Sequence, residues 1–396
     1  MAAYDPWDPA VIDDPYPFYA ELRADGGCHE LRDLGMWVLS SHEFVNGALR
    51  DHRGFSSSGG VSLEATEGVG GWITEDPPSH TATRSLAAPV FLRSAIPAHA
   101  SAVRACAEET VDRFVTAGGG DVVTGLAQPI AVQGLCEILG VPNEWAEAMT
   151  AMSEATFVSI SARSAAFEPA DFYNLQLAVG IPFSKLIEGQ LDRDVANPSA
   201  TMLDMITAHV GEDAGFVQLD QFGRAVYLTT LVAPGVETTR TMISNAVELA
   251  ARHPDTWDAV RSGQVEASAF VSEALRFESP IQGFFRGTTR PIELGSTTIP
   301  QGARVLCLYG SANRDEAVFD DAATFRPGRG NAGRHLAYGA GIHRCIGAWL
   351  AEVEGLAAIE ALAAKVERFE VTDVVRRTDM AQLRSFQRLT VSVRIG

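Results

Sequence analysis

The segment from Tyr338 to Gly347 constrains the fold of this chain more than any other, because it places one cysteine among closely spaced glycines. It reads Tyr-Gly-Ala-Gly-Ile-His-Arg-Cys-Ile-Gly. Glycine has no side chain and tolerates positive φ, so this backbone can approach a large flat group closely. A helical pattern without proline then runs from Cys345 to Ala364. The order predicts a cysteine at a helix N-terminus, where free N–H groups and the helix dipole stabilise a metal-binding thiolate.

A cysteine in a glycine-rich turn can also be a small buried apolar residue without a ligand. The segment, however, fixes five positions, which are Gly339, Gly341, His343, Cys345 and Gly347. This spacing resembles the cysteine-ligand loop of the haem-thiolate monooxygenases, the cytochrome P450 family. The resemblance implies haem b as cofactor, with Cys345 as the axial iron ligand. Tyr338 is a conservative departure, because the family usually has phenylalanine there, and it would also lie against the cofactor.

Length and composition are those of a globular protein, with 396 residues of which 46% are hydrophobic and 20% charged. No apolar run reaches the ~18 residues of a membrane-spanning helix, and the first residues do not resemble a signal peptide. We therefore expect a cytoplasmic protein without a membrane partner. The net charge of −19 disfavours nucleic acid as a partner. Five scattered cysteines disfavour a disulfide scaffold.

The patterns predict a mainly α-helical chain with small β-sheets, organised as a single domain over residues 1–396. Strand-like patterns occur at about 28–40 and 281–308, helical ones fill 79–277, and the cysteine loop covers 335–347. The longest helical pattern runs from Gln218 to Arg252 and is apolar on nearly every side, so we expect it to cross the interior. The resemblance places this helix over the haem.

The middle of that helix contains Pro234 and Gly235, followed directly by Glu237 and Thr238. Proline lacks the N–H that would bond the carbonyl of Thr230, so we expect a bulge and a groove there. Threonine can also simply bond the carbonyl four residues earlier and bend the helix. The segment resembles the oxygen-activating part of the family's central helix, which implies that the acid and the alcohol deliver protons and that Gly235 lies against the cofactor. Pro234 departs from the family's usual small residue.

Four further residues match positions that bind the haem propionates in the family, and these are His80, Arg84, Arg286 and His343. Donors aimed at two carboxylates make physical sense, since buried carboxylates without partners are costly. On sequence alone, His80 and Arg84 could equally lie on a solvated helix face.

The Glu-x-x-Arg segment at Glu273 and Arg276 is too short to be specific by itself. It lies where the family has its structural Glu-x-x-Arg, and the later segment from Phe325 to Arg329 supplies a second arginine. The resemblance implies a buried cluster of Glu273, Arg276 and Arg329 that braces the cysteine loop.

Substrate-pocket candidates follow from family placement in the long loop, the central helix, the strand after Glu-x-x-Arg and the last turn. They are Leu63, Val69, Trp72, Ile73, Thr230, Ala233, Pro234, Ile281, Phe284, Phe285 and Phe386. No arginine or lysine lies between Gly54 and Pro78 or between Ala225 and Thr239, so no anchor for a carboxylate is expected near the iron.

The function implied by the resemblance is insertion of one oxygen atom from O2 into a small neutral aromatic substrate, by hydroxylation or O-demethylation. Electrons would come from a ferredoxin and its reductase, and Arg344 is a candidate docking charge unless it is simply a solvated loop arginine. A terpene or polyketide hydroxylase is the alternative within the class. A peroxide-driven enzyme or a non-catalytic haem-binding sensor would have no need of Glu237 and Thr238.

Overall fold

The computed structural model describes residues 4–64, 71–163, 169–189, 200–208 and 220–396, which form fourteen α-helices and ten strands. The helices are α1 (Pro9–Asp13), α2 (Tyr16–Ala24), α3 (His42–Arg50), α4 (Ser79–Ala87), α5 (Pro97–Thr116), α6 (Gln128–Leu139), α7 (Ala146–Ser161), α8 (Pro169–Glu188), α9 (Met202–Ala208), α10 (Gln221–Arg252), α11 (Pro254–Arg261), α12 (Ala267–Phe277), α13 (Tyr309–Ala312) and α14 (Ala348–Ala363). This helix-rich architecture confirms the predicted fold class. Among the described residues, no helix is long and apolar enough to cross a bilayer.

The strands form two small sheets and a hairpin. They are β1 (Cys28–Leu31), β2 (Met36–Leu39), β3 (Phe55–Ser56), β4 (Gly119–Asp121), β5 (Gly283–Thr288), β6 (Ile292–Leu294), β7 (Thr297–Ile299), β8 (Arg304–Leu308), β9 (Val366–Arg376) and β10 (Phe386–Ile395). One sheet has the order β1-β2-β8-β5-β3, the second has β4-β10-β9, and β6 pairs with β7. The first sheet joins the two predicted β-rich segments, since β2 pairs in parallel with β8.

Helix α10 is the central element of the helical part. The side chain of Asp220 caps its first turn by accepting a hydrogen bond from the N–H of Gly223 (2.7 Å). Helices α6, α7, α8, α12 and α14 all pack against it, which explains why its sequence is apolar on most sides. Part of the predicted range, from Gln218, lies outside the described residues. The helix continues through Pro234, so the predicted bulge does not interrupt it.

The cysteine segment passes over the end of α3 before α14 begins. Gly341 has φ of +68°, and a Cβ at this position would lie 2.2 Å from the carbonyl oxygen of Leu49. Only glycine therefore fits here without moving the backbone. Helix α14 begins at Ala348. The sequence predicted that the helix begins at Cys345, so the predicted start is wrong by three residues.

Candidate active site

A cavity of about 690 Å³ lies between the cysteine segment, one face of α10 and the start of β5. Its wall includes Cys345, Thr238 and Phe284. The wall is mainly apolar, and half of the residues that α6, α7 and α8 turn toward it are leucine, isoleucine, methionine or phenylalanine. A cavity of this kind suits a flat apolar cofactor together with a small organic substrate.

Cys345 is the only one of the five cysteines that lines this cavity. Its N–H donates to the carbonyl oxygen of Tyr338 (2.8 Å), which closes the turn. The side chain is exposed to the cavity, and desolvation by the surrounding protein raises the pKa of the thiol. A hydrogen bond from the Gly347 N–H and the charges of Arg84 and Arg344 act in the opposite direction. Gly347 caps α14, so the end of that helix does donate toward the sulfur. Coordination of the sulfur to a metal ion would favour the thiolate form.

Positive and neutral donors surround one end of the cavity without a matching anion. Arg84 donates to the carbonyl oxygen of Arg344 (2.5 Å) and Arg286 to that of Phe285 (2.8 Å). Neither guanidinium has a carboxylate partner among the residues that the structure describes. The rings of His80 and His343 lie 4.4 Å apart, and both nitrogens of His80 and Nε2 of His343 are buried without a hydrogen-bond partner.

The electrostatics of these groups favour an anion. Burial, followed by the charge of Arg286, lowers the pKa of His343 to about 3. Burial also lowers the pKa of His80. Arg84, Arg286 and His343 line the cavity, whereas His80 lies behind His343. A group with two carboxylates would satisfy these orphaned donors, so the residues present fit a haem with its propionates. Tyr338 also lines the cavity, and its buried hydroxyl has no partner.

Glu273, Arg276 and Arg329 lie together as a fully buried charge cluster. The Glu273 carboxylate accepts from Arg276 Nη2 (2.7 Å) and Nε (2.8 Å), and from Arg329 Nε (2.9 Å). Arg276 also donates to the carbonyl oxygen of Asn313 (2.8 Å), whose side chain accepts from the N–H of Leu336 (2.5 Å). The cluster thereby reaches the beginning of the cysteine segment through one asparagine.

Residues 233 to 239 of α10 point to different sides of the helix. Pro234, Gly235 and Thr238 line the cavity, and the Thr238 hydroxyl donates to the carbonyl oxygen of Pro234 (2.7 Å). Glu237 is fully buried outside the cavity wall and pairs with Arg240 (2.5 Å). Successive helical residues are turned by about 100°, and in α10 this rotation carries Glu237 off the face that lines the cavity. Burial raises the pKa of Glu237, and the charge of Arg240 opposes this.

The predicted pocket residues divide into two groups. Those that line the cavity are Trp72, Ile73, Thr230, Ala233, Pro234, Ile281 and Phe284. Leu63, Phe285 and Phe386 do not line it, and these three placements are corrected. Val69 lies outside the described residues.

Each corrected residue has a physical reason for its position. Side chains alternate along a strand, so Phe284 on β5 faces the cavity and Phe285 packs into the core on the other side of the sheet. Leu63 packs against the same core as Phe285. Phe386 is buried in the main helical core, with the guanidinium of Arg376 over its ring (4.1 Å).

Several residues of the site carried no recognisable sequence signal. Glu354 on α14 lines the cavity as a fully buried acid, and its Oε2 accepts from the Thr239 hydroxyl (3.2 Å). Lys185 on α8 lines the solvent-exposed side of the cavity, so the wall includes a cation that lies outside residues 54–78 and 225–239. Ser153 on α7 contacts the backbone of α10 near Pro234. Amphipathic periodicity predicts that such helices have a buried face but not what they bury it against.

Comparisons with known proteins agree with this geometry. The family model described as cytochrome P450 matches residues 185–388. A protein from Mycobacterium tuberculosis named beta-dihydromenaquinone-9 omega-hydroxylase is 32% identical over 401 residues, which cover 99% of this chain and 79% of that protein. Cytochrome p450 CYP199A2 from Rhodopseudomonas palustris is 28% identical, over 98% of this chain and 93% of that protein.

Among solved structures, cytochrome P450 CYP109Q5 from Chondromyces apiculatus matches with a TM-score of 0.84 and 27% identity, over 100% of both chains. Both the sequence relatives and this structural neighbour cover nearly the entire chain. Members of the family bind haem b through a cysteine thiolate, which suits the cavity and its orphaned donors. The chain therefore belongs to the cytochrome P450 family and is a haem-thiolate monooxygenase.

Proposed function

We propose that this enzyme oxidises a small neutral aromatic substrate, by hydroxylation or O-demethylation, with O2 and with electrons from a ferredoxin and its reductase. Cys345 would hold the haem iron, and Arg84, Arg286, His80 and His343 would hold its propionates. When bound, the haem supplies the oxygen-inserting chemistry of the family. The protein's own residues bind and orient the substrate, exclude water and place protons.

The observation that carries the proposal is the charge pattern of the cavity wall. Arg84, Arg286, Lys185 and Glu354 are the charged residues in the described part of that wall. The two arginines are assigned to the propionates, and Lys185 lies on the exposed side. Burial raises the pKa of Glu354 well above its ordinary value, which favours the neutral form of this acid. Apart from Glu354, no charged residue of the described wall remains deep in the cavity to pair with an ionised substrate.

Aromatic side chains support an aromatic substrate. Trp72 packs against Tyr227 at 5.2 Å between ring centres, and Phe284 meets Tyr309 edge-on at 6.0 Å. Trp72, Phe284 and Tyr309 all line the cavity. Aromatic pairs favour tilted and edge-on contacts, so a substrate ring can add to these arrangements without displacing them.

Thr238 and Glu237 are proposed to manage protons for the reaction. Thr238 lines the cavity, and its hydroxyl donates a hydrogen bond to the carbonyl oxygen of Pro234. Glu237 is buried one residue away, where its raised pKa makes it easier to protonate than an exposed acid. To pass a proton to the cavity, its carboxyl group must leave Arg240, since the pair now points away from the wall.

The exposed surface beside the cysteine supports an acidic electron donor. Arg344 and Arg93 are exposed, and their guanidinium groups lie 5.8 Å and 4.9 Å from the ring centre of Trp349. These two cations lie against one ring, with the single acid Glu352 near both, and an acidic ferredoxin could recognise their positive charge. The cytoplasmic location expected from the sequence stays a prediction.

A panel of ligands tests the substrate class through the change in haem absorbance that follows displacement of water. We expect methoxyphenols and methoxybenzenes to produce the change and methoxybenzoates, terpenes and macrolides to give little. A response confined to the acids, terpenes or macrolides would contradict the proposal. Turnover with peroxide but not with ferredoxin would favour a peroxide-driven enzyme, and NADH oxidation without product would favour a non-catalytic haem binder.

Neighbouring residues of β5 offer a matched pair of variants. Phe284→Leu removes a ring from the cavity wall, whereas Phe285→Leu makes the same change on the opposite face of the strand. Loss of one aromatic contact should weaken binding of an aromatic ligand about 2- to 10-fold in Phe284→Leu only. Equal affinities for the two variants would remove Phe284 from the binding site.

A terpene or polyketide hydroxylase is kept as the second candidate because the cavity reaches an apolar surface. Phe222, Ile181 and Val226 line it and are 64%, 49% and 44% exposed. The M. tuberculosis relative is named for an omega-hydroxylase of a menaquinone derivative, which also fits an apolar substrate. Binding that strengthens steadily with the length of an alkyl chain would favour this second candidate.

A further inference from the structure

The hydroxyl group of Ser153 on α7 contacts two backbone groups of the central helix. It donates to the carbonyl oxygen of Ala233 (2.5 Å) and accepts from the N–H of Glu237 (3.3 Å). Ser153 is fully buried, so water does not compete for either group. Ala233 and Glu237 are four residues apart, and a regular helix joins this carbonyl and this N–H directly. The serine from a neighbouring helix therefore shares or replaces a bond of the α10 ladder.

The ladder of backbone hydrogen bonds in α10 lacks one donor at this place. Pro234 has no N–H to offer the carbonyl of Thr230, and Gly235 adds conformational freedom. A Cβ at Gly235 would lie 2.7 Å from Leu135, so α6 packs directly on this backbone. The next carbonyl, of Pro234, accepts from the Thr238 hydroxyl (2.7 Å). Two consecutive carbonyls are thus held by hydroxyl groups, one from inside the helix and one from α7.

We infer that Ser153 is a positioning residue, whose hydroxyl sets the local geometry of α10 and thereby the orientation of Thr238 and Glu237. The Glu237 N–H that it binds belongs to the residue that carries the buried acid. The Ala233 carbonyl that it binds belongs to a residue of the cavity wall. One hydroxyl group therefore binds both the residue of the cavity wall and the residue that carries the buried acid. The inference rests on the proposed proton-handling role of Thr238 and Glu237 for its effect on turnover, but not for its effect on structure.

Removal of the hydroxyl should let the helix close. In Ser153→Ala, the Ala233 carbonyl and the Glu237 N–H lose a buried partner, and an unpaired buried backbone group is costly. Their remaining option is to bond each other at the regular helical distance of about 2.9 Å. That movement turns Thr238 and Glu237 relative to the cavity. We expect the fraction of NADH electrons recovered in product to fall about 2- to 10-fold, with the rest appearing as hydrogen peroxide.

The test uses the haem-loaded enzyme, four variants and two readouts. Ser153→Thr keeps a hydroxyl and should restore coupling to near the wild-type value. Thr150→Ala is the control on α7, because among the described residues its buried hydroxyl bonds within its own helix, to the carbonyl oxygen of Ala146 (2.8 Å). If Ser153→Ala does not fold, Ser153→Cys replaces it in the test, because cysteine is similar in size to serine but forms weak hydrogen bonds. Ser153→Cys should then show the same loss of coupling that is expected of Ser153→Ala.

Crystal structures supply the readout that does not depend on turnover. The account predicts Ser153 Oγ on both backbone groups in the wild type and a shorter distance between Ala233 O and Glu237 N in Ser153→Ala. It is overturned by unchanged α10 geometry and coupling in Ser153→Ala, or by equal uncoupling in Thr150→Ala. If wild-type enzyme oxidises no tested substrate, the proposed substrate class fails while the structural comparison still decides the role of Ser153.

Discussion

Replacing Glu273 by glutamine should destabilise the protein far more than breaking a comparable ion pair at the surface. Glu273 accepts hydrogen bonds from Arg276 and Arg329, and all three side chains are within 1% of complete burial. The Glu273→Gln change keeps the size of the side chain but removes its charge. Two buried guanidinium groups then lack a counter-charge, although both still donate to backbone carbonyls.

The expected magnitude follows from that burial. Breaking a buried pair by removing one partner costs about 3–5 kcal/mol, since the remaining charge stays desolvated. For 396 residues, an unfolding entropy near 2.1 cal/mol/K per residue gives about 0.8 kcal/mol/K. The melting temperature should therefore fall by about 4–6 °C. Because the cluster reaches Leu336 through Asn313, haem retention should fall as well.

Glu367→Gln is the matched control. Glu367 also forms a two-point ion pair with an arginine, at 2.8 Å and 3.0 Å from Arg394, but both side chains are more than one-third exposed. Solvent screening limits such a pair to about 0–1 kcal/mol. Thermal unfolding followed by circular dichroism and by haem absorbance measures both variants. Equal losses of stability, or a loss below about 1 °C for Glu273→Gln, would refute the reasoning.

Three other predictions concern charge. Arg344→Glu should slow reduction of the haem by a purified acidic ferredoxin at low salt without changing substrate affinity. The control Arg32→Glu, at another exposed arginine, should leave the reduction rate unchanged. An unchanged rate in Arg344→Glu would remove that residue from the interface. Burial raises the pKa of Glu354 well above 4.5, so as pH rises the carboxyl group loses its proton in the unfolded chain before it does in the folded protein. The free energy of unfolding should therefore fall above pH 4.5, by up to about 1.4 kcal/mol per pH unit. Denaturant titrations of Glu354→Gln should lack this slope, and a slope identical to that of the wild type would contradict the prediction. Arg286→Gln should release haem to apomyoglobin about 10-fold faster or more, because a charge-assisted hydrogen bond is lost, and an unchanged rate would show that Arg286 does not hold the cofactor.

The sequence predicted best those features that lie close together along the chain. The cysteine segment is contiguous, and its glycines at 339 and 341 take the positive φ that the pattern suggested. The length of α10 and the helical fold class followed from apolar patterning. Glu273 and Arg276 could be paired because i and i+3 share a helix face.

The features that the sequence did not predict depend on which way an element faces. Phe284 and Phe285 have the same chemistry, and only the pairing of β5 with β8 decides which one enters the cavity. Glu237 and Thr238 were placed beside one groove, but the rotation of the helix separates them. The role of Ser153 depends on α7 crossing α10 beside Pro234, and a serine in an apolar helix carries no signal of such a contact.

The absorbance spectrum of the reduced, carbon-monoxide-bound protein tests the central claim most directly. Cys345 is the only cysteine on the cavity wall, so the account predicts a Soret band shifted far to the red by a thiolate opposite the gas. Cys345→Ser should lose that shifted band. A protein that binds no haem, or a serine variant that keeps the shifted band, would contradict the assignment of Cys345 as the iron ligand.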